Sequence, residues 1–170
     1  IMAGWGLNII EVGDNTAAER QTILAGVNDA RDVYEDHGLT FSSVEWWVIH
    51  DGDAGGYRNL GDEDEWEDLL DDWTVPNDSV DCFVVRTMWD GFAGYSPIGG
   101  PDDKDDKNDG LAVTRSMVCL AHELGHYMGD HDHADALGRG NVMHSFCGGR
   151  VFTYDQYEAF LEHGWTHIVR

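Results

Sequence analysis

In the stretch AHELGHYMGDHDH, His122 and His126 stand four residues apart, and Glu123 directly follows the first. On a helix this spacing sets the two imidazoles about 40° apart around the axis and about 6 Å apart along it, so both rings can reach one ion. Neutral imidazole suits Zn²⁺, and a catalytic zinc site takes three protein ligands while leaving the fourth position open for water. Glu123 lies about 100° round from His122, where it can flank that open position without joining the coordination shell. That is where a general base belongs. With nine His and ten Glu among 170 residues, random placement yields the pattern about 0.03 times per chain. Its context adds weight: Gly129 follows three residues after His126, and His131, Asp132 and His133 crowd the next turn.

The elements that would position these residues are legible in outline. Leu7 to Val12 reads as a strand, after which Asn15 or Thr16 can cap a helix with Ile23, Val27, Ala30 and Tyr34 at helical spacing, ending by Gly38. Ser43 to His50 is a second strand, Glu65 to Trp73 a short acidic helix, and Val80 to Met88 a third strand with the continuous apolar character of one buried on both faces. This β-α-β-(α)-β order favours a right-handed α/β layer. Residues 90 to 110 form a loop flanking an edge strand. Leu111 to Arg115 is a short strand, and Ser116 is placed to cap the helix that carries the histidines. Gly129 is expected to stop that helix in the left-handed conformation, and a last helix runs from about Thr153 to His163.

His122, Glu123, His126 and Gly129 match in register the active-site helix of the metzincin metallopeptidases, which the chain resembles. The stretch from about 121 to 143 carries the specific part of the resemblance; the rest matches by element order. It implies a zincin fold of mixed α+β or α/β type: a twisted mixed sheet, two long helices and a small C-terminal lobe with a methionine turn. The chain would then be one catalytic domain, with an upper lobe over about 1–129 and a lower lobe over about 130–170. The family's third ligand, usually His, falls at Asp132, and Asp in the Gly-x-x-Asp-His order resembles the snapalysin-like branch of small secreted bacterial proteases. Asp132 is therefore the favoured third ligand, with His133 and His131 as alternatives. Met143, in Asn141-Val142-Met143, occupies the position of the methionine beneath the metal. Some branches carry a Tyr two residues later that steadies the oxyanion; here Ser145 stands there, and His144 and Tyr154 are weak substitutes. GYSPIG, at 94–99, would supply the edge strand on which peptide docks by backbone pairing. The implied activity is zinc-dependent hydrolysis of peptide or protein substrates, with Glu123 taking a proton from the attacking water and passing it to the leaving amine.

Two alternatives remain open on the residues. In another zinc peptidase plan the third ligand is a Glu of the last helix, Glu158 or Glu162. In a non-catalytic module zinc only braces the fold, and Glu123 has no task. Serine or cysteine nucleophile chemistry lacks its signatures, for no Gly-x-Ser-x-Gly occurs.

The formal net charge of −23, from 33 acidic and 10 basic residues, would repel nucleic acid and anionic membrane alike. Acid excess with two lysines against eight arginines resembles proteins of salt-loving organisms. Disorder is excluded by seven Trp, six Tyr, six Phe and a 42% hydrophobic share, which supply a core. Asp102 to Gly110 holds spaced oxygens that could take Ca²⁺, but lacks EF-hand spacing, so a solvated loop is the expectation. Cys82, Cys119 and Cys147 allow at most one internal disulfide. No apolar run is long enough to span a bilayer. A start at Ile1 suggests a mature or trimmed product; a secreted or cell-surface setting and a monomer are expected.

Overall fold

A computed structural model describes residues 1–170. The element order is β1 (Met2–Val12), α1 (Ala17–Glu35), β2 (Leu39–Ile49), α2 (Asp51–Ala54), α3 (Glu63–Trp73), β3 (Ser79–Val85), β4 (Gly94–Tyr95), β5 (Gly110–Thr114), α4 (Leu120–Gly129), α5 (Tyr154–Glu162) and β6 (His167–Val169). Six strands make one mixed sheet in the order β2-β1-β3-β5-β4, with β6 antiparallel to the start of β1. The β1–β2, β1–β3 and β3–β5 pairs are parallel, and β4 runs antiparallel to β5 at the edge. No helix is long and apolar enough to cross a membrane.

Side-chain alternation along the central strands divides the core between the two faces. Trp5, Leu7 and Ile9 of β1 and Val80, Cys82 and Val84 of β3 join α1, α4 and α5 in a cluster of 26 buried residues. Ile10, Val12, Phe83 and Val85 point the other way, into a cluster of 13 closed by Trp66, Leu69 and Leu70 of α3. β3 is thus buried on both faces, as its composition foretells. The larger cluster matters most for function, because α4 is sunk in it: every α4 residue except Ala121 is buried.

Thr16 caps α1 in a full capping box with Glu19. Ser116, by contrast, does not cap α4. The chain passes through a left-handed Met117 (φ 61°) and α4 begins after Cys119, whose sulfur is bonded to Cys147 and makes no cap hydrogen bond. β1 starts five residues earlier than its sequence suggests, and β6 has no forecast at all. The Asp102 to Gly110 loop is organised around a lysine: Lys104 Nζ turns inward to Asp81 Oδ1 at 3.0 Å and to the carbonyl of Val75 at 2.7 Å, and lies over the Trp165 ring.

Candidate functional site

α4 is fixed in place before any ligand is considered. On one side Tyr34 of α1 donates its hydroxyl to the Ala121 carbonyl at 2.7 Å. At the C-terminal end, where helix carbonyls run out of partners, the amides of Gly99 and Gly100 donate to His126 and Tyr127 at 2.9 Å each. Tyr127 returns the contact through its hydroxyl to Pro101 O at 2.7 Å. The loop after the edge strand is therefore the helix's C-terminal cap as well as a wall of the cleft above it.

The helix delivers His122 and His126 to one point, and the following segment brings His133 to meet them. Their ring centroids are 4.6, 5.2 and 5.0 Å apart, and the three nearest ring nitrogens lie within 4.8 Å of one another. His122 Nδ1 is 2.8 Å from the carbonyl of Val142, and His126 Nδ1 bonds the carbonyl of His131. A carbonyl can only accept, so each Nδ1 carries the proton and each Nε2 keeps its lone pair. This is the outer arrangement that aims imidazoles at a metal. Burial holds His122 down to about 4, only partly offset by the Val142 carbonyl, and His126 is lowered for the same cause. Both rings stay neutral, as ligands must be. Three imidazoles open on one side fit zinc.

Glu123 sits beside them and beneath the edge strand, where a Cβ on Gly94 would stand 2.6 Å from its Oε1. Burial alone pushes its carboxyl up to about 8. A cleft of about 780 Å³ runs over the site, between β4 with the 96–98 segment on one side and Val118, Phe146 and the Cys119–Cys147 disulfide on the other. Tyr95 lines it, its hydroxyl 2.8 Å from Glu63, and burial together with that carboxylate pushes the phenol up to about 12.

The sequence expectations meet this geometry unevenly. Asp132, the favoured third ligand, lies outside the imidazole group. It lines the cleft, with Oδ1 accepting the amide of His133 at 2.6 Å. His131 is committed to α5, its Nε2 2.9 Å from Gln156 O and its ring edge-on to Phe160. α4 runs through Gly129, and the left-handed residue is Asp130 (φ 52°, ψ 33°), one position later than expected; His133 rather than Asp132 stands beside the two helical imidazoles. Gly129 is needed for space instead, since a Cβ there would come within 2.5 Å of the His131 ring and 3.0 Å of Phe160. The snapalysin-like choice, which rested on Asp132, finds no support in this placement.

Met143 is fully buried under α4, close enough that a Cβ on Gly125 would fall 2.2 Å from its Sδ. Asn141 Oδ1 accepts the Met143 amide at 2.9 Å and holds that turn. Ser145 is engaged with Asp135, and His144 Nδ1 accepts the amide of Phe146. Tyr154 is 70% exposed and is not among the cleft residues. Glu158 faces Tyr154 and Glu162 lines a separate cavity behind α4, so neither reaches the histidines. The one internal disulfide that the sequence allowed without assigning its partners is Cys119–Cys147, which forms one edge of the cleft.

No protein-family model and no curated protein matches the chain. Solved structures do. Over 93% of this chain, metalloproteinase-II from Bacteroides fragilis superposes with a TM-score of 0.60 at 18% identity. The chain spans 53% of that protein's length. A chaperone–substrate complex superposes over 92% of the chain and 37% of its own, with a TM-score of 0.58 at 15% identity. Archaemetzincin from Methanopyrus kandleri gives 0.49 at 13% identity over 91% of this chain and 86% of its own. A mixed six-stranded sheet with five helices, superposing over most of its length on metalloproteinase-II at so low an identity, gives this chain the same fold as that protein.

Proposed function

We propose that the chain is a zinc-dependent endopeptidase, with His122, His126 and His133 as metal ligands and Glu123 as general base. The observation that carries this reading is the convergence of three imidazoles and a buried carboxylate on the floor of an open cleft, two of the imidazoles having Nδ1 locked on carbonyls. A zinc ion held there supplies electrophilic pull on a scissile carbonyl and acidifies the attacking water. Glu123 takes the proton from that water and hands it to the leaving amine. Its raised proton affinity suits a group that must hold a proton between the two steps. β4 ends the sheet, and an extended peptide can pair with its free edge and lie across the site. A structural zinc closes its shell with four protein ligands; three ligands beside a buried acid favour catalysis. The disulfide supports a secreted or cell-surface setting, because such bonds persist in oxidising compartments.

The test combines zinc titration with hydrolysis of casein. Wild type should bind zinc and cleave, and Glu123→Gln should keep the metal while losing about 10²- to 10⁴-fold in rate. His133→Ala should lose zinc affinity and Asp132→Ala keep it. The opposite order for the last pair would move the third ligand to Asp132. A zinc-loaded chain that cleaves no protein or peptide would end the enzyme reading.

A further inference from the structure

The disulfide beside the candidate base has a second chemistry. Cys119 and Glu123 are one helical turn apart, joined by the backbone bond from the Glu123 amide to the Cys119 carbonyl at 2.8 Å. The two sulfurs and a carboxylate oxygen of Glu123 all lie within 4.8 Å of one another. Cys147 is half-buried, and both cysteines line the cleft, so a small reductant entering the site reaches the bond. We propose that reduction of Cys119–Cys147 turns this edge of the cleft into a second, thiophilic metal site, Cys119-Cys147-Glu123, adjacent to the three histidines and inhibitory when filled.

The step balances simply. A dithiol of low molecular weight gives two electrons and two protons to the Cys119–Cys147 bond and becomes a disulfide itself; a Zn²⁺ or Cd²⁺ ion then displaces the two thiol protons and the proton of the Glu123 carboxyl to solvent. Two thiolates on a tetrahedral zinc stand about 3.8 Å apart, from Zn–S distances of about 2.3 Å. The Cα atoms of the pair are 5.0 Å apart, so only a modest outward movement is needed. The Cys147 side can make it. Phe146 is 66% exposed and carries its backbone bond to the neighbouring His144 ring, whereas Cys119 is anchored at the head of the buried helix. The incoming ion takes Glu123 as its third ligand, and that carboxylate is then unable to accept a proton. The site itself stands independently of the peptidase reading; only the inhibition rests on it.

The experiment uses the whole chain, reduced with a phosphine that does not compete through sulfur, and titrated with Cd²⁺. Bound cadmium should rise from about one ion per oxidised chain to about two per reduced chain, with a cadmium–thiolate absorption band accompanying the second ion only. Cys147→Ser should bind about one ion and show no such change. Glu123→Ala should weaken the second ion at least about tenfold and leave the first in place. Casein hydrolysis by the reduced zinc form should stop when excess zinc is added, and hydrolysis by Cys147→Ser, at whatever rate it shows beforehand, should not respond to the excess. A stoichiometry unchanged by reduction overturns the proposal, and so does loss of the helical circular dichroism signal on reduction, because the site requires α4 in place. If the second ion binds but no form of the chain hydrolyses peptide, the metal site stands and the peptidase reading fails.

Discussion

Gly125→Ala is the most informative single change, because it separates helix propensity from the contact beneath the metal site. In an open helix the substitution would stabilise by about 0.5–1 kcal/mol. Here the new Cβ would lie 2.2 Å from Met143 Sδ and 3.2 Å from its Cε. Ordinary contact needs about 3.5–4.0 Å, so the sulfur must retreat by roughly 1.5 Å. Met143 has no exposed surface to retreat into, although its unbranched side chain can re-aim. Overpacking of this kind costs about 1–3 kcal/mol, so the net change runs from about zero to a loss of about 2.5 kcal/mol, a fall in Tm of up to about 10 °C. Displacing Met143 also moves Val142, whose carbonyl orients His122, and zinc affinity should fall by about 10- to 100-fold. Urea unfolding of the metal-free protein and competitive zinc titration read the two effects separately. In a Met143→Ala background the obstacle is gone, and the same Gly125→Ala change should become stabilising. If it stabilises equally in both backgrounds, α4 does not rest on Met143 and the account of the turn is wrong.

Lys104→Met should destabilise by about 3–5 kcal/mol in denaturant unfolding, because it strands the Asp81 carboxylate, whose side chain is 1% exposed; adding Asp81→Asn should restore most of that loss. Glu123→Gln should make the metal-free chain more stable at pH 8 but not at pH 4.5. Burial pushes the folded carboxyl from an ordinary 4.5 up to about 8, so the native state's preference for the proton is fully favourable below 4.5 and lost as pH rises through 8. Stability curves of the two proteins that stay parallel from pH 4.5 to 8 would contradict the burial of that group. Asp109→Asn should likewise stabilise above pH 6 and be neutral near pH 3.8, since burial and then the Asp81 charge push Asp109 up to about 6. Thermal melts at the two pH values test it.

What the residue pattern disclosed was what depends on local spacing. The start of α1 near Asn15 or Thr16, the apolar run of β3, the pair of histidines on α4 and the start of α5 near Thr153 are each decided within a few residues. The third histidine was harder because its identity depends on where the chain reverses. A helix that continues through Gly129 and turns at Asp130 changes which side chain arrives, and no rule of spacing reports a one-residue delay. The first residues of β1, Met2-Ala3-Gly4, have little strand propensity. They are extended because β2 lies on one side and β6 on the other, and β6 comes from the far end of the chain. The disulfide partners, 28 residues apart, become neighbours only when the segment after Met143 folds back to the head of α4.

That both orienting carbonyls, His131 and Val142, come after α4 sets an order of assembly. A nascent chain that has emerged only as far as residue 130 already owns both helical imidazoles, yet its rings are free to spin and to choose either tautomer. High affinity for the ion should therefore switch on late in synthesis, once the polypeptide extends beyond Met143, and a truncated product ending sooner should leave the metal for its completed siblings.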